Sequence, residues 1–210
     1  LKMLRIGYCE SLDGQPVDPA VQAAVKHVAT VLSRMGHQVD IITPSFTGWE
    51  QSFGPLVLAE EWRERGHFLT YCESELTDYE IASLQAAKAV TPEQVFEARK
   101  KQLEYRAKVA QLFESYDFLL TPTVATPAFT IGERPKFIDN TKVSRLWGAF
   151  PFTSPFNVAG VPAAAIPCGL SDGLPLSAQL VGAYHSDESL LNLCEALEQE
   201  LNFQTYREGA

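Results

Sequence analysis

The first 43 residues read strand, helix, strand, the order of a βαβ unit. Residues 3–9 form a short apolar run with Gly7 inside it, where a neighbouring backbone can approach closely, and this pattern predicts a buried strand. Asp18 and Pro19 then mark a helix start, with Asp as the cap and Pro at the first helical position. Val21, Ala24, Val25, Val28, Leu32 and Met35 follow at helical spacing and form one apolar stripe. Gly36 supplies a left-handed stop. Residues 39–43 give a second strand, ended by Pro44. Two strands joined through a helix run parallel with a right-handed crossover, so the chain is expected to be an α/β protein.

Further along, residues 49–89 are helical but irregular. Leu56, Ala59, Trp62 and Arg63 share a face, and Trp62 and Phe68 are expected as core anchors. A clearer helix opens at Thr91-Pro92-Glu93-Gln94, where Gln94 completes a capping box, and runs to about Ser115. Phe96, Leu103, Ala110 and Phe113 are expected to form its buried stripe. Glu97 with Lys101, and Glu104 with Lys108, should form ion pairs on its wet side. Phe118-Leu119-Leu120-Thr121-Pro122-Thr123 reads as a buried strand stopped by proline, followed by a Pro-, Thr- and Gly-rich loop over residues 124–136. Residues 163–168 and 177–183 predict two more strands. Residues 187–201 predict a final helix, capped by Ser186 or Asp187, that buries Leu190, Leu191, Leu193, Cys194 and Leu197.

Composition excludes several classes of partner. With 26 acidic against 17 basic residues the net charge is −9, which opposes binding to a nucleic-acid backbone. The richest basic stretch, residues 99–108, is interleaved with acidic side chains. No apolar run is long enough to cross a membrane. Cys9, Cys72, Cys168 and Cys194 form no CxxC pair and read as free thiols of a reducing, cytoplasmic setting. The chain opens directly into a strand pattern, as though further sequence preceded it.

Few of the motifs that mark catalytic or binding chemistry occur in the chain. There is no HExxH, no paired-carboxylate cluster, no phosphate loop and no GxGxxG motif, so neither a metal site nor a cofactor is expected; Gly169-Leu170-Ser171-Asp172-Gly173 has the GxSxG spacing but reads as a turn, not as a nucleophile elbow. Ser144 lies two residues after Lys142, a spacing common by chance. His27, His37, His67 and His185 read as surface or core histidines rather than partners of a cysteine. The dense region is residues 150–182. Pro151, Pro155, Pro162 and Pro167 fix the chain direction there, and Gly169-Leu170-Ser171-Asp172-Gly173-Leu174-Pro175 reads as a hairpin turn. Asn157 and Gln179 place amides in apolar stretches, where each either ties a loop to a strand or contacts a ligand.

This region resembles the C-terminal part of the amidase-signature family. The likeness rests on Asn157-Val158-Ala159-Gly160-Val161-Pro162-Ala163, Pro167-Cys168-Gly169, Gly173-Leu174-Pro175 and Gln179. Upstream, Tyr116-Asp117-Phe118-Leu119-Leu120-Thr121-Pro122-Thr123 is similar to the family's strand ending in Pro-Thr. Leu4-Arg5-Ile6-Gly7, the Asp18-Pro19 helix and Gly36-His37-Gln38-Val39 are similar to the start of its C-terminal half. The resemblance implies a mixed sheet with a βαβ unit and flanking helices, in a single domain over residues 1–210. It also implies amide hydrolysis by a Ser–cis-Ser–Lys triad carried in the family's N-terminal half.

No Gly-Ser-Ser or Gly-Gly-Ser occurs here, so no catalytic residue is expected within the chain. Its implied role is scaffold and pocket wall, with Phe150, Phe152 and Asn157 as substrate-binding candidates. The implied partners are an N-terminal half of the same protein, a small-molecule amide and a second copy of the chain. Ser177 stands where the family usually has Gly. Members that hydrolyse glutamine for transfer-RNA amidation carry an acidic residue where this chain has Phe150. They also use an arginine that has no equivalent over residues 76–87. Both departures favour a general amide hydrolase with an apolar pocket over an amidotransferase A subunit. Two readings from other classes are a non-enzymatic scaffold and an enzyme using Cys168 as nucleophile.

Overall fold

In the computed structural model, residues 2–202 are described; Leu1, at the head of the opening pattern, lies outside them. The elements in chain order are β1 (Arg5–Tyr8), α1 (Pro19–Arg34), β2 (Gln38–Ile41), α2 (Glu50–Arg65), α3 (Phe68–Tyr71), α4 (Asp78–Lys88) and α5 (Pro92–Ser115). They continue with β3 (Phe118–Pro122), β4 (Phe137–Ile138), β5 (Thr141–Lys142), α6 (Ser154–Ala159), β6 (Ala163–Ser171), β7 (Leu174–Gly182) and α7 (Asp187–Leu201). Two compact units result: Leu1–Phe46 together with Val109–Ala210, and Thr47–Lys108.

The first unit is built on a five-stranded mixed sheet of order β2-β1-β3-β7-β6. β1 pairs parallel with β2 and β3, while β7 runs antiparallel to β3 and β6. The βαβ unit forms as its sequence dictates. Asp18 Oδ1 accepts the Ala20 N–H at 2.8 Å with Pro19 beside it. At the other end of α1, Gly36 takes φ +90°. The His37 N–H then reaches the Leu32 carbonyl and the Gly36 N–H the Ser33 carbonyl, a paired closure of the last turn. A Cβ on Gly7 would collide with Ile42 Cδ1 and lie 3.0 Å from Leu119 Cδ2, so glycine is what lets neighbouring side chains close over β1. Main-chain and side-chain bonds between Arg5 and Asp117, each 2.7 Å, fix the start of β1 against β3. α1 and α7 contact each other and pack on β6 and β7, burying Val25, Val28 and Leu32 with Leu190, Leu193 and Leu197. Leu191, expected in this core, is exposed: it lies one position from Leu190, about 100° around the helix.

β6 and β7 form a hairpin whose two-residue loop is Asp172-Gly173, with φ +50° and +78°. Both left-handed residues match the turn whose twist suits antiparallel strands. The strands extend beyond the expected limits at both turn-proximal ends, with a register shift between Pro167 and Gly169 where proline interrupts the ladder.

The second unit is helical. Thr77 and Glu80 make a capping box at the head of α4. Arg65 Nη2 meets Glu80 Oε1 at 2.6 Å, and the Ser83 hydroxyl donates to Glu61 Oε2 at 2.7 Å, tying α4 to α2. Thr91 and Gln94 cap α5 reciprocally, at 2.8 and 3.2 Å. Trp62 is exposed rather than a core anchor; its ring lies over the Gly66 backbone. On α5, Phe96 and Leu103 stand 68% and 65% exposed, and the buried face carries Ala98, Tyr105 and Val109 instead. Lys101 pairs with Glu104 at 2.9 Å, and Lys108 Nζ donates to the Thr47 carbonyl.

Candidate functional site

The strand pairing places Thr121 of β3 opposite Gln179 of β7. Gln179 is 4% exposed, so its amide protons need buried acceptors. Nε2 donates to Thr121 Oγ1 at 3.0 Å and to the Phe152 carbonyl at 3.1 Å, while the Thr121 hydroxyl donates to the Pro122 carbonyl. Of the two amides singled out by sequence, Gln179 therefore ties the segment before α6 to the sheet. Asn157 does not share this role. It sits on α6, where Phe156 and Val158 on either side are buried and Asn157 itself is exposed. Phe156 meets Phe46 edge to face at 5.2 Å, which anchors the helix.

The two phenylalanine candidates separate. Phe152 is fully buried, so its ring belongs to the core and its carbonyl is the group held by Gln179. Phe150 is 36% exposed and borders a cavity of about 200 Å³, lined also by Val21, Val124, Phe129, Pro175 and Leu176. The Phe129 and Phe150 rings lie 6.1 Å apart at 48°. The Arg134 guanidinium sits 6.0 Å from the Phe150 ring centre and donates to the Leu146 carbonyl at 2.9 Å. One residue organises this corner: the Ala125 N–H donates to the Ala149 carbonyl at 3.0 Å, and the Ala125 carbonyl accepts the Asp18 N–H at 2.8 Å. The loop is thus held to both the α1 cap and the residue before Phe150. Phe129 and Arg134 lie in the segment read from sequence only as a proline-rich loop, and no spacing in it points to them.

The remaining nucleophile candidates have structural roles. The Ser144 hydroxyl accepts the N–H groups of Leu146 and Trp147, closing a turn. Cys168 is buried, and burial pushes its thiol up to about 11, although a backbone hydrogen bond with Ala178 opposes the shift. A thiol that keeps its proton at neutral pH is a poor nucleophile, which removes the support for a Cys168 enzyme. Cys9, fully buried, is pushed up to about 12 for the same reason. His27, His67 and His185 are exposed and His37 is buried, its ring held below the usual histidine range first by burial. Among the described residues, no group of three His, Cys, Asp or Glu side chains is placed to hold a metal ion, and no helix is long and apolar enough to cross a membrane.

Comparison with known proteins agrees with this architecture. The family model described as Amidase matches residues 1–191. The A subunit of a glutamyl-tRNA(Gln) amidotransferase from Clostridium acetobutylicum is 36% identical over 104 residues, covering 48% of this chain and 20% of that protein. Its counterpart from Lysinibacillus sphaericus is 38% identical over 98 residues, covering 47% of this chain and 19% of that protein. Among solved structures, 6-aminohexanoate cyclic dimer hydrolase superposes with a TM-score of 0.80 at 27% identity, over 98% of this chain and 46% of the other. A crystal structure of an amidase gives 0.86 at 22% identity, over 95% and 46%. The chain thus spans less than half of these solved structures, and its aligned stretch about a fifth of the curated relatives. With the family match running from the first strand into the last helix, and the mixed sheet and flanking helices of the amidase-signature enzymes present, the chain belongs to the amidase family.

Proposed function

We propose that this chain is the C-terminal portion of an amide hydrolase whose Ser–cis-Ser–Lys triad lies outside residues 1–210, and that it supplies scaffold and one wall of the substrate pocket. The supporting observation is the Amidase match over residues 1–191, in a sequence with no Gly-Ser-Ser run, at 46% coverage of a solved cyclic-amide hydrolase. In this reading a serine of the N-terminal portion attacks the amide carbonyl, a second serine and a neutral lysine relay the proton, and backbone N–H groups hold the oxyanion. Phe150 offers the substrate an apolar surface, the exposed Asn157 an amide able to donate or accept, and Phe152 backs that wall from the core. The partners are the N-terminal portion and a small-molecule amide, and the four free cysteines fit a cytoplasmic setting.

The purified 210-residue chain is expected to hydrolyse no amide. Co-expressed with an N-terminal portion carrying the triad, it is expected to give turnover that a serine substitution in that portion abolishes. Turnover by the chain alone overturns this reading. The curated matches favour a second reading, the A subunit of an amidotransferase. Glutamine would then be hydrolysed in preference to apolar amides, despite Phe150 at the position where such proteins carry an acidic group.

A further inference from the structure

We infer that the cavity between the 124–129 loop, Phe150 and the start of β7 is a subsite for one flat aromatic ring of the substrate. The inference rests on the amide-hydrolase reading and names the substrate class: aryl amides. Size sets the first limit. The cavity holds about 200 Å³, and a dry apolar cavity of about 150 Å³ takes benzene. The volume matches one ring.

Lining chemistry sets the second. Val21 and Leu176 are buried walls, Val124 adds another apolar side chain, Thr126 and Ser177 bring the only hydroxyls to the lining, and Phe129 and Phe150 stand at the edge, each 36% exposed. Two tilted rings 6.1 Å apart present both faces and edges, and a third ring gains from either arrangement at similar separations. Rigidity is the third. The two Ala125 main-chain hydrogen bonds and the Phe150 N–H to the Trp147 carbonyl, at 2.9 Å, hold both loops. Arg134, tethered to the Leu146 carbonyl, covers part of Phe150 and fixes its orientation. A ring entering such a site orders little of the protein, so the contact is not offset by a large ordering cost.

The test is a titration of the isotopically labelled 210-residue chain with benzamide and, separately, propionamide, followed by backbone-amide NMR. Benzamide is expected to shift Ala125, Phe129, Phe150 and Leu176 saturably, binding at least tenfold tighter than propionamide. Val124→Trp, which fills the cavity, should abolish the shifts. Phe129→Ala, at a partly exposed position that leaves the core intact, should weaken benzamide at least fivefold. Equal affinity for the two amides, or shifts confined to other residues, overturns the inference, as does unaltered benzamide binding in a folded Phe129→Ala chain. The measurement involves no turnover. A chain that binds benzamide here while the assembled protein hydrolyses no amide keeps the ring subsite and loses the hydrolase reading; turnover without benzamide binding at this cavity does the reverse.

Discussion

An amide NH2 carries two protons, and at Gln179 each meets a buried acceptor, one on β3 and one on the segment leading to α6. Sequence showed that an amide in an apolar strand must find partners. It could not say which, because the partners lie 58 and 27 residues away and meet only once β7 has paired with β3. Asn157 had the same sequence signature, yet it is exposed, since α6 turns that position outward. The two Phe candidates diverge for the same reason: residue type fixes the wish to be buried, and tertiary neighbours decide which ring is. Gln179→Leu is expected to cost about 1–3 kcal/mol, because the Phe152 carbonyl and Thr121 hydroxyl lose a buried partner. Urea unfolding of the variant beside the parent measures it, and an unchanged midpoint would remove the amide's structural role.

At the scale of elements, local chemistry was the legible part. The α1 and α5 caps, the Gly36 stop and the Asp172-Gly173 turn depend on a few adjacent residues, and each formed. What escaped depends on partners. Periodicity says which residues of α5 share a face, not which face meets a neighbour, so small Ala98 is buried while Phe96 is exposed. The β4–β5 hairpin, only two residues per strand around Asp139-Asn140, is too short for any alternation to show. The contact between α4 and α2 yields a pH prediction. The Glu80 carboxyl is held down from 4.5 to about 2, first by the Thr77 N–H, then by Arg65 and the Thr77 hydroxyl. A depressed carboxyl stabilises the fold fully above its unfolded value and loses that contribution as pH falls through its folded value. The protection factors of α4 amides, which remove the pH dependence of intrinsic exchange, should therefore fall as pH drops from 4.5 towards 2. Glu80→Gln should already show weakened α4 protection at neutral pH and little further change over that window. Identical pH profiles in the two chains would refute the assignment.

For the whole molecule, the βαβ order and the turn signals fixed the fold class, whereas the apolar surface left uncovered is visible only in three dimensions. Ile131, Phe137, Leu146 and Trp147 lie within 17 residues of one another and are 99%, 60%, 48% and 48% exposed. Ile41 on β2, at the sheet's edge, is 66% exposed. Single exposed apolar side chains are ordinary, and these take on meaning through the proposed reading, in which part of the surface is covered in the working protein. In the proposed reading the chain is less than half of an amidase, so surface that a triad-bearing portion would cover stands open. An edge strand such as β2 adds unpaired main-chain groups to that tendency. The isolated chain should consequently self-associate. Sedimentation velocity over a hundredfold range of concentration should show the sedimentation coefficient rising with concentration. Phe137→Ser combined with Leu146→Ser, both at exposed positions, should shift the distribution towards monomer without lowering the thermal midpoint. Co-expression with the N-terminal portion should give a single one-to-one species. A chain that stays monomeric at every concentration would show that these side chains are an ordinary solvent-facing surface, and the case for a covered face would fall with it.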